Sequence, residues 1–189
     1  MTDTTQQTTT TLTDLAGSYT IDPAHSQMGF VARHAMVTKV RGSFNEFEGT
    51  VTTGPGLSGT AIAVTLQVAS IDTRNADRDG HLRTGDFFDA ATYPTITFTS
   101  TGVSAVDDET LRVAGDLTIK DVTKQVVIDF DYAGGATDPY GMQRVGLEGS
   151  TTLLRSENGI SFNAALETGG VLVSDKITLE IEISAVRNA

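Results

Sequence analysis

The chain has 189 residues, a formal net charge of -11 and no cysteine, and 39% of its residues are hydrophobic. This length suits one domain with a buried core, and the lack of cysteine excludes disulfide bonds and cysteine-based zinc sites. An acidic surface repels nucleic acid and anionic lipid headgroups at long range, so we expect no nucleic-acid partner. No apolar run approaches the roughly 18 residues of a membrane-spanning helix, and we expect no stable membrane insertion.

The first segment, "MTDTTQQTTTTLTDL", is rich in threonine and lacks the basic and apolar regions of a secretory signal. We therefore expect a cytoplasmic protein. A segment of this composition cannot bury enough apolar surface to offset the entropy lost on ordering. It predicts a disordered tail over residues 1–14 and a single folded domain over residues 15–189.

From Gly17 onward, most segments alternate apolar and polar residues, as β-strands with one buried face do. The segments, in chain order, are "QMGFVARH", "AIAVTLQVAS", "TITFTS", "LRVAGDLTI", "QVVIDFDY", "VGLEGSTTLL" and "ITLEIEI". The turns "TGPGLSG", "VDDETL" and "AGGATDPYG" separate some of them. Short connections favour antiparallel neighbours, so about eight such strands predict an all-β sandwich or closed barrel.

One segment, "RNADRDGHLRTGDFFDAATYP", interrupts this pattern with charged residues and two adjacent phenylalanines. It has helix-like content, with Asn75 or Asp77 as the residue that caps a short helix and Leu82 on the same side as the phenylalanines. Residues 74–90, the lid segment, could plug a barrel mouth. Alternatively, they form a surface helix that Arg–Asp pairs hold in place and whose phenylalanines complete the core.

The three histidines and the charged cluster around His81 are the candidates for a chemical site. An odd spacing puts His25 and His34 on opposite faces of a strand, which disfavours a shared metal site, and we expect no metal. His34 shares a face with apolar residues and is either a core histidine or a polar point inside a tunnel. "DRD" is typical of solvated ion pairs, and no nucleophile elbow, P-loop or dinucleotide-binding motif is present, so we expect no catalytic residues.

Three blocks of the sequence resemble the YceI-like family of lipocalin-like, polyisoprenoid-binding proteins. They are "YTIDPAHSQMGFVARHAM…VRGSFNEFEG", "SIDTRNADRDGHLRTGDFFDAATYPTITFTS" and "VAGDLTIKDVTKQVVI", and the resemblance runs from about Gly17 to Val186. It implies an eight-stranded antiparallel lipocalin-like barrel with a short helical excursion around residues 75–90. It also implies a bound isoprenoid lipid, such as an isoprenoid quinone or a prenyl phosphate, no required cofactor, no established reaction and a homodimer. Many relatives are exported.

The resemblance and the alternation together give a set of candidate tunnel residues. They are Phe30, His34, Phe44, Phe47, Ile62, Val64, Leu66, Leu82, Phe87, Phe88, Phe98, Leu117 and Ile119. Arg78 or Arg83 could meet an anionic headgroup, because guanidinium suits phosphate. The family's Arg-Asp-Phe-Gly near the C-terminus reads Arg155-Ser-Glu-Asn-Gly159 here, so this chain lacks an aromatic residue near one end of the barrel.

We therefore expect a protein that binds, carries or sequesters a long-chain isoprenoid lipid, and not an enzyme. One alternative is a barrel with a closed core that acts as a stress-related interaction protein. A further alternative is an enzyme acting on a lipid headgroup, with His34 or His81 as the acid or base.

Overall fold

The structure is a computed structural model that describes residues 11–189. Eleven strands and one α-helix make up most of it. In chain order they are β1 (Gly17–Ile21), β2 (Gln27–His34), β3 (Thr38–Phe44), β4 (Phe47–Thr53), β5 (Ala61–Gln67), β6 (Ile71–Asp72), α1 (Ala76–Leu82), β7 (Thr95–Ala105), β8 (Thr110–Ile119), β9 (Val122–Thr137), β10 (Gln143–Leu154) and β11 (Lys176–Arg187). Short 3-10 helices cover Leu12–Asp14, Pro23–His25, Pro55–Leu57, Val68–Ser70 and Arg155–Asn158.

Eight of the strands close into an antiparallel barrel. They follow the order β1, β4, β5, β7, β8, β9, β10, β11, and β11 pairs back with β1 through Tyr19 and Arg187. The predicted eight-stranded barrel is therefore confirmed. The glycine-rich "AGGAT", predicted as a turn, instead continues β9 to Thr137. The pairing of β9 with β10 shifts register between Gly146 and Leu147, where β9 has one extra residue.

A second branch of the sheet leaves the ring at β11. β2 pairs with the first half of β11, β3 pairs with β2, and the two-residue β6 pairs with the end of β3. Residues 23–25 join β1 to β2, and residues 45–46 join β3 to β4. Because these connections are short, β1 with β2 and β3 with β4 each resemble one bent strand. The lid segment connects β6 to β7 next to this branch.

Helix α1 begins at a side-chain cap. Asn75 Oδ1 accepts a hydrogen bond from the backbone N–H of Arg78 at 2.9 Å, so Asn75 and not Asp77 is the N-cap. The helix is tied back to β6 by Asp79, which is buried and accepts from the backbone N–H and the hydroxyl of Thr73. The Arg–Asp pairs of the surface-helix interpretation do not form among the described residues.

Two clusters of buried side chains occupy the two ends of the barrel. The cluster at the lid end contains Phe44, Val68, Ile71, Phe87, Ile96, Leu117, Ile119 and Ile160. The cluster at the opposite end contains Leu12, Leu15, Leu57, Leu111, Val113, Ile128 and Phe130. A third, smaller cluster contains Ile21, Met28 and Phe47, so the hydrophobic core is divided into separate clusters.

The predicted tail extends too far at its C-terminal side. Leu12 is 1% exposed and Leu15 is 6% exposed, and both pack into the cluster opposite the lid. The open end of the barrel needs an apolar cover, and these two leucines supply it in spite of their threonine-rich surroundings. The remainder of the predicted tail, residues 1–10, lies outside the described residues.

Within residues 11–189, none of the helices combines the length and the apolar character needed to cross a membrane.

Candidate functional site

A cavity of about 250 Å³ lies inside the barrel. Its wall includes residues of both end clusters, from Leu111, Val113 and Ile128 at one end to Phe87 and Ile160 at the lid end. Almost all of the wall is aliphatic or aromatic. The barrel therefore encloses an elongated apolar space and does not fill itself with side chains.

Three phenylalanines of the wall lie flat against glycines on a neighbouring strand. A Cβ atom added to Gly42 would lie 2.8 Å from Cε1 of Phe30, and one added to Gly149 would lie 2.6 Å from Cδ1 of Phe130. Phe98 covers Gly115 in the same way. Because the rings occupy the place of the missing side chains, they stay on the wall and leave the lumen open.

The structure places all but two of the candidate tunnel residues on the cavity wall. Those on the wall are Phe30, Phe44, Ile62, Val64, Leu66, Leu82, Phe87, Phe88, Phe98, Leu117 and Ile119. Phe47 is buried, but it packs beside the wall with Ile21 and Met28. His34 is exposed at the end of β2, because this strand extends beyond the cavity wall, which it lines only as far as Ala32. It is neither a core histidine nor a polar point inside the tunnel.

The structure places Arg78 and Arg83 away from the cavity wall. Arg78 Nε donates to the hydroxyl of Thr73 at 2.7 Å, and its Nη2 donates to the Thr73 carbonyl. Arg83 donates to the carbonyls of Ala69 and Ile71 at 3.0 and 3.2 Å. Both guanidinium groups therefore attach the lid segment to residues 69–73, and neither faces the cavity.

The lid segment closes one end of the cavity with three apolar side chains. Leu82, Phe87 and Phe88 all belong to the wall. Phe88 meets Phe44 edge to face with ring centroids 5.7 Å apart. Phe87 is 6% exposed and packs against Phe162, 5.1 Å between centroids, in the segment between β10 and β11. The lid segment is thus both a plug of the barrel and part of its core.

The polar side chains that sequence reasoning missed lie at this same end. Arg155 and Asn158 belong to the wall, and their residues are 6% and 3% exposed. The Arg155 guanidinium donates to the carbonyls of Ser174, Ile160, Phe162 and Val173. Burial lowers its pKa, although an arginine remains charged in a protein. The available signal was the altered motif at residues 155–159, which lacks the aromatic residue of the family's motif.

The histidines considered for chemistry lie off the cavity wall. His81 is paired with Asp86, 2.8 Å between Nε2 and Oδ2, and the side chains are about half exposed. His25 pairs with Asp22 at 2.7 Å on the outer surface. In the described part of the chain, no group of three or more histidine, aspartate or glutamate side chains is arranged to hold a metal ion.

Comparison with known proteins identifies the family. The YceI-like domain matches residues 19–185. The chain belongs to the YceI-like family. Its curated relatives include a UPF0312 protein of Staphylococcus aureus strain USA300, which is 39% identical over 168 residues, or 86% of this chain and 94% of the relative.

Solved structures share the fold of this YceI-like chain. A YCEI protein of Campylobacter jejuni superposes with a TM-score of 0.70 at 30% identity, covering 83% of this chain and 90% of that one. BcnA of Burkholderia cenocepacia gives a TM-score of 0.75 at 23% identity, over 87% and 98% of the two chains. A polyisoprenoid binding domain from Saccharophagus degradans gives 0.69 at 15% identity, over 90% and 98%. The last two establish likeness of fold alone.

Proposed function

We propose that this YceI-like protein binds a long-chain isoprenoid lipid in the barrel cavity, and that it carries or sequesters this lipid and catalyses no reaction. The observation that carries the proposal is the open, apolar cavity inside a closed barrel. A fold-neighbour described as a polyisoprenoid binding domain supports the choice of ligand. The wall phenylalanines and aliphatic residues, with Phe87 and Phe88 of the lid segment, would make the contacts.

The shape of the cavity favours a slender chain. Its volume of about 250 Å³ is just below the usual range of small-molecule pockets, so a single chain fits better than a bulky ring system. At roughly 0.3 kcal/mol per heavy atom, the affinity grows with the number of carbon atoms of the chain that lie inside the cavity. The apolar wall therefore favours a prenyl chain over a polar ligand.

The alternative of a closed core is not favoured, because side chains do not fill the lumen of the barrel. The enzyme alternative is not favoured either, since His34 and His81 are exposed and lie off the wall. The homodimer and the cytoplasmic location remain predictions, and sedimentation of the purified protein and fractionation of the source cells would check them.

Two substitutions on one strand test the proposal. Val64 faces the cavity, and its neighbour Ala63 is exposed on the outer face of β5. Val64→Phe should put a ring into ligand space and weaken binding of a polyprenyl chain roughly tenfold or more, with little loss of stability because the ring enters an open space. Ala63→Phe is the matched control and should bind like the parent.

Binding to delipidated protein is measured by displacement of a fluorescent long-chain probe, and stability by urea unfolding. Failure of the parent protein to bind any polyprenyl chain would refute the proposed function. Unchanged binding by Val64→Phe would show that the ligand does not occupy the cavity.

A further inference from the structure

The hairpin of β2 and β3 concentrates positive charge in an acidic protein. Residues 23–45 contain three arginine or lysine residues and no aspartate or glutamate, whereas the whole chain has 13 basic and 24 acidic residues. The three cations are Arg33, Lys39 and Arg41, and all are exposed. None of them forms an ion pair with another residue of the part of the chain that the structure describes.

Two of these cations are directly opposite each other. Arg33 of β2 pairs with Lys39 of β3, and both side chains lie on the outer face, because Ala32 next to Arg33 lines the cavity. Like charges in opposite positions destabilise a sheet. Protection of a sheet edge would explain a charge on β3, whose residues 38–42 pair only with β2 among the described strands, but not one on β2, which lies between β11 and β3. An anionic partner would relieve the repulsion.

The tip of this hairpin presents apolar side chains to solvent. Met36 is 55% exposed and Val37 is 74% exposed. The φ angles of Ala35 and Met36 are 50° and 62°, a turn geometry that glycine and asparagine adopt with less strain. The chain therefore has a methionine where glycine would fit better. Nη1 of Arg33 donates to the Val37 carbonyl at 3.4 Å, so a cation lies beside the apolar tip.

The tip lies next to the lid end of the cavity. The backbone N–H of Ala35 donates to the carbonyl of Leu172 at 2.7 Å. Val173, the next residue, belongs to the cavity wall, and its carbonyl accepts a hydrogen bond from Arg155 at the lid end. The exposed cations and the apolar tip therefore form one surface beside the end of the barrel that the lid segment closes. We call residues 33–41 the hairpin surface.

The acidic residues around this end do not neutralise the hairpin surface. Glu180 of β11 is opposite Gly29, four residues along β2 from Arg33, which is about 13 Å. The lid segment is nearly neutral, with three arginines and four aspartates. Glu167, in the segment that contacts the tip, forms no ion pair with residues 11–189. Because the Debye length is about 8 Å at physiological ionic strength, most of the negative charge elsewhere on the barrel is screened from a partner at this surface.

Apolar side chains beside exposed cations match the surface of a bilayer that contains anionic lipids. The cations meet the headgroups, and the tip enters the boundary between headgroups and acyl chains. A soluble polyanion would also attract the cations, but it would gain nothing from Met36 and Val37.

We propose that the protein docks reversibly on an anionic bilayer through the hairpin surface, so that the lid end of the barrel faces the membrane. Docking of this kind needs no membrane-spanning segment. The inference goes beyond the proposed function, because it identifies the surface with which a lipid would be exchanged.

Flotation of the purified protein with vesicles tests the docking. One set of vesicles contains phosphatidylcholine alone, and the other contains equal parts of phosphatidylcholine and phosphatidylglycerol. The parent protein should bind the anionic vesicles roughly tenfold more strongly than the neutral ones, because each cation near an anionic surface strengthens binding several-fold. High salt should weaken this binding, since it screens the attraction.

A pair of double variants tests the position of the charge. Arg33→Gln with Lys39→Gln should weaken binding to anionic vesicles roughly tenfold or more. These changes remove a repulsive pair, so urea unfolding should show no loss of stability. Arg112→Gln with Arg187→Gln is the matched control, with the same change in net charge. Arg112 lies between two residues of the cluster opposite the lid, and Arg187 donates to the carbonyl of Ala16 near that cluster. The control should bind like the parent.

A pair of single variants tests the apolar tip. Val37→Gln should weaken binding to anionic vesicles roughly threefold or more, because the tip loses its apolar contact with the bilayer. Val106 is 50% exposed in the turn after β7, at the other end of the barrel, where Ala105 pairs with Leu111. Val106→Gln is therefore the matched control and should leave binding unchanged.

Equal binding to neutral and anionic vesicles, or no binding to either, would overturn the inference. Equal losses in the two double variants would also overturn it, because net charge and not the hairpin surface would then be responsible. Parental binding by Val37→Gln would indicate a soluble polyanion as the partner and would overturn the choice of a bilayer. The probe-displacement assay of the proposed function uses no vesicles, so a failure of docking and a failure of lipid binding in the cavity are distinguishable.

Discussion

Replacement of Gly42 by alanine should move the ring of Phe30 off the cavity wall. Gly42 on β3 is directly opposite Phe30 on β2, and a Cβ atom there would approach Cε1 and Cε2 of the ring to 2.8 and 2.9 Å and Cζ more closely still. No backbone atom is among these close neighbours. The φ angle of Gly42 is not in the left-handed region, so alanine meets no backbone strain. Only the ring has to move, and the free space is the cavity.

The expected magnitude is a balance of two effects. Overpacking of this kind costs roughly 1 to 3 kcal/mol, while Gly→Ala at a compatible position stabilises by about 0.4 to 1 kcal/mol through the unfolded chain. Gly42→Ala should therefore lower the free energy of unfolding by up to about 2.5 kcal/mol. In a Phe30→Leu background the clashing ring atoms are absent, and the same change should be stabilising.

The parent, Gly42→Ala, Phe30→Leu and the double variant form a double-mutant cycle. Urea unfolding of these four delipidated proteins gives the coupling free energy between positions 30 and 42, which we expect to be about 1 to 3 kcal/mol. Gly42→Ala should also weaken binding of a polyprenyl chain, because the displaced ring occupies ligand space. An equal effect of Gly42→Ala in both backgrounds would refute the reasoning that the glycine exists to hold the ring on the wall.

Three further predictions concern the two ends of the barrel and its outer surface. Leu12→Ala should lower the free energy of unfolding by roughly 2 to 5 kcal/mol, because the side chain is buried. Thr13→Ala on the same turn is the control and should change it by less than about 0.5 kcal/mol. Equal effects of the two substitutions would show that the turn does not cover the end of the barrel. Hydrogen bonds from the Arg144 guanidinium and, to a smaller extent, from the His25 ring lower the pKa of the Asp22 carboxyl from 3.8 to about 2. Because this pKa is depressed in the folded state, the ionised Asp22 stabilises the fold above about pH 4, by roughly 1 to 2 kcal/mol for a partly exposed group, and this stabilisation is lost as the pH falls towards 2. The free energy of unfolding of the parent should therefore approach that of Asp22→Asn in acid. A difference between the two proteins that does not change with pH would contradict this prediction. Phe88→Ala should speed dissociation of bound lipid in stopped-flow measurements, and parental rates would show that the lid segment does not gate the cavity.

Alternation predicts the strands and assigns each side chain to a face, while the choice of an eight-stranded barrel over a sandwich came from the resemblance to the YceI-like family. Val64 and Phe98 are on the wall for this reason, and their strands pair directly. The helix start was narrowed to Asn75 or Asp77, because both residue types cap helices, and the structure shows that Asn75 is the cap. Alternation does not tell how far along the axis the cavity extends, which is why His34 was assigned to the lumen although it lies beyond its end.

The residues that were missed depend on contacts between distant parts of the chain. Leu12 lies in a threonine-rich segment whose composition predicts disorder, and it is buried because it covers the end of the closed barrel. The contact of Phe30 with Gly42 requires the register of two strands, which the residue pattern does not fix. The altered motif at residues 155–159 was visible as a departure from the family, but the burial of Arg155 and Asn158 becomes apparent only in three dimensions.

A native mass spectrum of the protein, purified without detergent from cells that make isoprenoid lipids, is the most direct test of lipid binding in the cavity. We expect one added mass per chain that disappears on organic extraction, and the added mass of a polyprenyl alcohol after the delipidated protein is exposed to that alcohol. A spectrum that shows only the bare chain, both as purified and after this exposure, would contradict the claim that the cavity is a lipid-binding site.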